Sequence, residues 1–143
     1  MRTLLAAFAL SLLLVVAPAR AETAAAPLSY AGKTVLVTGS TDGLGRELAL
    51  ALAADGAHVI VHGRNAERGK AVVDEIAASG KGSARFIGAD FSSLQAVRDF
   101  ADSIARAAPR LDLLVNNAGI AFNNAPQRSA NADGYELQFV VNY

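Results

Sequence analysis

The sequence predicts an α/β domain, a parallel sheet wound on both faces by helices. Two observations carry this. From Gly32 onward, short apolar runs rich in β-branched residues alternate with stretches of helical period. The order reads β-α-β-α-β-α-β-α. Strands joined through helices in this way lie parallel, with right-handed crossovers.

Each element has its own signal. Thr34–Thr38 is β-branched and stops at Gly39, which makes it a strand. Leu44–Ala54 follows as a helix, with Leu44, Leu48 and Leu52 on one face and Asp55-Gly56 ending it. Ala57–His62 is the second strand. Ala66–Ser79 is the second helix, with Val72, Val73 and Ile76 inward and Gly80 past its end. Ala84–Ala89 is the third strand. Ser92 or Ser93 caps a third helix that runs to Ala108, before Pro109, with an apolar stripe of Val97, Phe100 and Ile104. Leu111–Val115 is the fourth strand. Its Leu113-Leu114-Val115 core lacks polar alternation, which predicts cover on both faces. Asn123–Asn131 is polar and loop-like, and a fourth helix is predicted to start near Asp133. The predicted strand order is 3-2-1-4, with the fourth strand on an open edge.

Composition narrows the function. The 143 residues fit one domain, and a hydrophobic content of 52% can fill its core. Thirteen basic and 13 acidic residues cancel, which leaves no electrostatic case for a nucleic-acid partner. Cysteine is absent, which excludes disulfides, thiolate metal sites and a cysteine nucleophile. His58 and His62 alternate within one apolar run and read as strand residues, so no metal site is expected.

Met1–Ala26 reads differently from the rest. Arg2 is followed by the uncharged stretch Leu4–Ala17, and Ala19-Arg20-Ala21 fits a small-x-small cleavage pattern. This predicts a secretory signal peptide cut after Ala21, with Glu22–Leu28 as a lead-in. An uncleaved N-terminal membrane anchor is the alternative, although the apolar run of about 14 residues is short against roughly 30 Å of hydrocarbon. A misassigned start would remove the segment altogether. The expected location is therefore exported, periplasmic or membrane-anchored if the signal is real, and cytoplasmic otherwise.

Function is carried by the turn after the first strand, Thr38-Gly39-Ser40-Thr41-Asp42-Gly43-Leu44-Gly45. Its glycines turn the chain sharply and let backbone amides approach a ligand. The helix that follows aims its N-terminus at the same spot, which suits a pyrophosphate, and Gly45 lets that helix pack close to the strand. Gly39, Ser40, Asp42, Gly43, Leu44 and Gly45 are thus candidate cofactor residues of a Rossmann-type dinucleotide domain spanning 32–143.

The pattern Thr-Gly-x-x-x-Gly-x-Gly resembles that of the short-chain dehydrogenases/reductases, and three further segments agree. Ala89-Asp90-Phe91 follows the third strand, where that family places an Asp for the adenine amino group. Asn116-Asn117-Ala118-Gly119 follows the fourth strand and is similar to the family's Asn-Asn-Ala-Gly motif. Asn142, in the fourth helix, is similar to the family's catalytic Asn. The run Glu136–Asn142 resembles the retinol-dehydrogenase-like and WW-domain-oxidoreductase-like branch. The resemblance implies that Asp90 and Phe91 bind the cofactor, that Asn117, Ala118 and Gly119 flank the adenosine ribose, and that Asn116 ties strands together. Asp90 also reads as a residue of the third helix cap, and Asn142 as a helix Asn bonded to backbone.

The second strand ends His62-Gly63-Arg64, with no carboxylate to repel a 2′-phosphate. Arg64 offers a planar, permanent charge that suits one, so NADP is expected over NAD. Arg46 could assist, but a cation in the first helical turn opposes the helix dipole.

The resemblance further implies an alcohol–carbonyl oxidoreductase acting on a small molecule, with a complete form that self-associates. Its chemistry would need a Ser and a Tyr-x-x-x-Lys, because an unaided Tyr has a pKa near about 10. Neither Tyr30, Tyr135 nor Tyr143 has a Lys at that spacing. The chain thus reads as a fragment truncated after about four strands, inactive by itself, with a non-catalytic nucleotide-binding or regulatory module as the alternative.

Overall fold

Strand β1 (Thr34–Val37) lies between β2 (His58–Gly63) and β4 (Leu113–Val115), and β3 (Ser83–Gly88) lies beyond β2. Every pair is parallel; Val35 stands opposite Val59 and Leu113, and Val37 opposite Val61 and Val115. The order β3-β2-β1-β4 is the expected one. This computed structural model describes residues 29–121 and 129–143. Met1–Ala26 lies outside them, as does most of the expected Asn123–Asn131 loop.

Alternation along the strands divides the core into two layers. Val35, Val37, Val59 and Val61 face α1 (Gly43–Ala54) and α2 (Ala66–Ser79), where Ala49, Leu52, Val72 and Ile76 are buried against them. Leu36 and Ile60 face the other way and meet Phe100 and Ile104 of α3 (Leu94–Ala107). The sheet is thus wound on both faces, the Rossmann-type architecture that the sequence predicts. Each helix starts on a side-chain cap: Asp42 for α1, Asn65 for α2 and Ser93, not Ser92, for α3.

Three expectations need correction. Leu44 does not join the inward face of α1; it is 79% exposed, and that face is Gly45, Ala49, Leu52 and Ala53. Small residues there let the helix lie close to the sheet, and Leu44 at its first turn points away. β4 is not covered on both faces, since Leu114 is 49% exposed and borders an open apolar cavity beside α3. The last helix, α4, is Leu137–Asn142 and starts later than Asp133. The Asn131 side chain accepts from the amides of Asp133 and Tyr135 at 3.0 and 2.9 Å, and holds that stretch in a turn. Ala130 then pairs antiparallel with Glu136, whose carboxylate caps α4 by accepting from the Phe139 amide at 2.7 Å.

Candidate cofactor site

An open cleft of about 470 Å³ lies at the carboxyl ends of the strands, where parallel α/β sheets place their ligands. Gly39, Asp42, Gly43, Leu44 and Gly45 form one wall, and Gly63 and Arg64 line it from the end of β2. Ala89, Asp90 and Phe91 reach it from β3, and Asn117, Ala118 and Gly119 from β4. Eleven of the thirteen sequence-derived candidates thus share one cleft; Ser40 and Asn142 do not line it.

The glycine loop is shaped by close packing. A Cβ on Gly45 would stand 2.3 Å from the Gly39 carbonyl oxygen and 2.4 Å from Asn117 Nδ2. One on Gly39 would meet Ala118 Cα at 2.8 Å, and Gly39 takes a left-handed φ of 65°. Two glycines therefore let α1, the loop and the β4 turn converge, which brings the helix N-terminus onto the cleft. Its free amides and partial positive charge suit an anion. Ser40 lies beneath this surface, wholly buried: its hydroxyl donates to the Val37 carbonyl at 2.7 Å and accepts from the His62 amide at 3.0 Å. That side chain serves the loop's shape and has no face on the cleft.

Thr38 ties the loop to the β4 turn. Its buried hydroxyl accepts from the amides of Asn117 and Ala118, both at 3.0 Å. The Asn117 amide group in turn donates to the carbonyls of Thr38 and Gly39 at 3.0 and 3.1 Å. The strand tie expected of Asn116 is therefore made by Asn117, while Asn116 borders the apolar cavity on the other face. Thr38→Val keeps the volume but strands the Ala118 amide, while the Asn117 amide keeps the Val115 carbonyl at 3.1 Å. It is expected to lower stability by about 1–3 kcal/mol in denaturant unfolding.

At the ends of β2 and β3 the polar groups divide. Arg64 is exposed and lines the cleft with Asp90. The Asp90 carboxyl is held below its ordinary value chiefly by the Ser92 amide, which donates to it at 2.9 Å, with Arg64 a lesser contribution. Asp90 thus both shapes the approach to α3 and stands in the cleft wall. Arg46 is not free to meet a ligand: its guanidinium pairs with Glu47 and Glu75. Asn142 accepts from the Ile120 amide at 2.8 Å and donates to the Ile120 carbonyl at 3.1 Å, so it grips the chain just past the Asn-Asn-Ala-Gly turn.

Sequence reasoning missed two side chains here. Arg68, in the first turn of α2, pairs with Asp42 at 2.9 Å across the rim of the cleft. His62 is buried in the cleft wall and accepts from the Gly39 amide at 3.1 Å. Its place next to Gly63-Arg64, at the carboxyl end of β2, was a usable signal.

Comparison with known proteins matches residues 33–143 to the family described as short chain dehydrogenase. Human retinol dehydrogenase 13 is 37% identical over 115 residues, which cover 78% of this chain and 33% of that protein. The solved RhlG/NADP active-site complex of Pseudomonas aeruginosa has a TM-score of 0.67 at 35% identity, over 80% of this chain and 43% of that one. A 3-oxoacyl (acyl-carrier-protein) reductase from Agrobacterium tumefaciens with NADP bound gives the same TM-score at 36% identity, over 80% and 43%. The chain therefore spans about a third to two fifths of the length of these relatives.

Proposed function

Because the chain belongs to the short-chain dehydrogenase family, we propose that it is the cofactor-holding part of an NADP-dependent oxidoreductase that interconverts an alcohol and a carbonyl. The observation that carries this is the cradle where a Cβ on Gly45 would meet the Gly39 carbonyl at 2.3 Å, beneath the N-terminus of α1. Only a backbone brought that close leaves room for a pyrophosphate on the helix end. The two solved relatives described above are NADP complexes, which supports the same cofactor here.

In this reading Gly43, Leu44 and Gly45 offer backbone amides to the pyrophosphate. Arg64 meets the 2′-phosphate, Asp90 and Phe91 hold the adenine, and Asn117, Ala118 and Gly119 flank the ribose. Asn142 fixes the Ile120 backbone, which lines the cleft. When bound, the nicotinamide supplies or accepts a hydride. Water and substrate protons would be handled by a Ser and a Tyr-x-x-x-Lys, and these 143 residues contain no Tyr-x-x-x-Lys.

The chain alone is thus expected to bind NADPH without turning over. Absorbance of NADPH with a panel of aldehydes and ketones checks this, and steady carbonyl reduction by the pure chain would overturn it. The substrate class we assign is a small-molecule alcohol or carbonyl, and a complete form would self-associate. Met1–Ala26 would direct export or anchoring; N-terminal sequencing of the cell-derived protein distinguishes a cut after Ala21 from an intact start.

A further inference from the structure

His62 is the one buried titratable side chain in the cleft wall among the described residues, and the functions assigned above do not use it. Its backbone and its ring both grip the glycine loop. The His62 carbonyl accepts from the Ser40 amide at 2.8 Å, and the His62 amide donates to Ser40 Oγ at 3.0 Å. Ring Nδ1 accepts from the Gly39 amide at 3.1 Å, which places the proton of the neutral ring on Nε2. The other side of the ring stacks on Phe91 at 4.2 Å and 22°, and Phe100 of α3 lies 4.5 Å away. One side chain therefore joins the pyrophosphate loop after β1 to the aromatic wall after β3.

We propose that His62 is a positioning residue that locks the glycine loop to the Phe91 wall of the dinucleotide cleft, and that only its neutral ring can do so. This rests on the dinucleotide reading above. The neutral ring accepts at Nδ1. A proton taken up there turns the acceptor into a donor, and two N–H groups then face each other at Gly39. The groups packed on the ring are the Gly39 and Ser40 backbone, Ala89, Phe91 and Phe100, none of them titratable. Charged groups elsewhere on the cleft wall are Asp42, Arg64 and Asp90, with Asp42 paired to Arg68. Nε2 has no hydrogen-bond partner among the described residues. Burial lowers the ring's pKa from 6.5, and the Ala89 carbonyl, close to the ring but outside hydrogen-bond geometry with Nε2, offsets this only in part. The folded state thus binds the proton less well than the unfolded chain does. The sign follows: stability contributed by the neutral ring is complete above 6.5 and is lost as pH falls below it.

The test uses the full chain. Proton–nitrogen NMR follows the Gly39 amide and the His62 ring nitrogens as pH falls from neutral to below 6.5, and NADPH fluorescence gives affinity over the same range. The Gly39 amide is expected to shift with the His62 midpoint, and NADPH affinity to fall about tenfold with it. His62→Phe keeps the stack but loses the acceptor, and is expected to bind NADPH about tenfold more weakly at neutral pH. His62→Asn keeps an acceptor and cannot titrate, so its affinity should not fall with acid; it also carries the test if His62→Phe fails to fold. A Gly39 amide indifferent to His62 titration, or His62→Phe binding NADPH as the parent does, overturns the proposal. If Gly39 tracks His62 but no dinucleotide binds at any pH, the loop lock stands and the dinucleotide reading fails instead.

Discussion

Gly45→Ala is expected to abolish measurable NADPH binding and to lower stability by about 3 kcal/mol or more. The added methyl would stand 2.3 Å from the Gly39 carbonyl oxygen and 2.4 Å from Asn117 Nδ2. Neither neighbour can yield cheaply. The first is backbone of the loop itself, and the second holds the carbonyls of Thr38 and Gly39. α1 must therefore move away from the sheet, which opens both the core face at Ala49 and the anion site at the helix end. Gly80→Ala separates the two effects. Gly80 caps α2 at a φ of 69°, far from the cleft, with nothing within 4 Å of an added Cβ. It should cost about 1 kcal/mol through backbone strain alone and leave NADPH affinity intact. Thermal unfolding with a fluorescence titration on both variants checks the pair; equal NADPH binding by Gly45→Ala and the parent would refute the close-approach argument.

Arg64→Ala is expected to weaken NADPH roughly tenfold to a hundredfold and to leave NADH unchanged. The difference between the two ligands is one phosphate on the adenosine ribose, and Arg64 stands in the cleft wall at the end of β2, where that ribose would lie. Arg46 cannot substitute, since Glu47 and Glu75 already hold it. Arg68 is likewise paired, with Asp42 of the cleft wall. The contact is exposed, so the NADPH preference of the parent should shrink as salt is raised. A selectivity that survives Arg64→Ala would move the 2′-phosphate site elsewhere, with Arg68 as the first place to look.

The sheet was legible in the sequence chiefly through its two central strands, β1 and β2, which are buried on both faces and read as unbroken apolar runs. Val35–Val37 and Val59–Val61 are the clearest cases. The glycine loop was legible because backbone geometry at Gly39 and Gly45 admits no other residue type so near another chain segment. Other features were hidden for physical reasons. Leu44 has the spacing of a core residue, but spacing cannot tell that Gly45 and Ala49 take the inward face to bring the helix close. Leu114 is as apolar as its neighbours and still half exposed, because cover depends on what packs above an edge strand. α4 starts late since the Asn131 side chain competes for the amides that would begin a helix. Within the site, Ser40 read as a ligand residue by its position in the motif, yet three-dimensional packing turns its hydroxyl down to Val37. His62 and Arg68 escaped notice because their partners, Gly39 and Asp42, lie 23 and 26 residues away.

The central claim is that the cleft holds NADP through the glycine loop and Arg64. Its most direct test is a fluorescence titration of the 143-residue chain with NADPH and with NADH at one fixed, low ionic strength. The account predicts saturable binding of both, with NADPH tighter by roughly tenfold or more. Binding of neither, or of both with equal affinity, would contradict it.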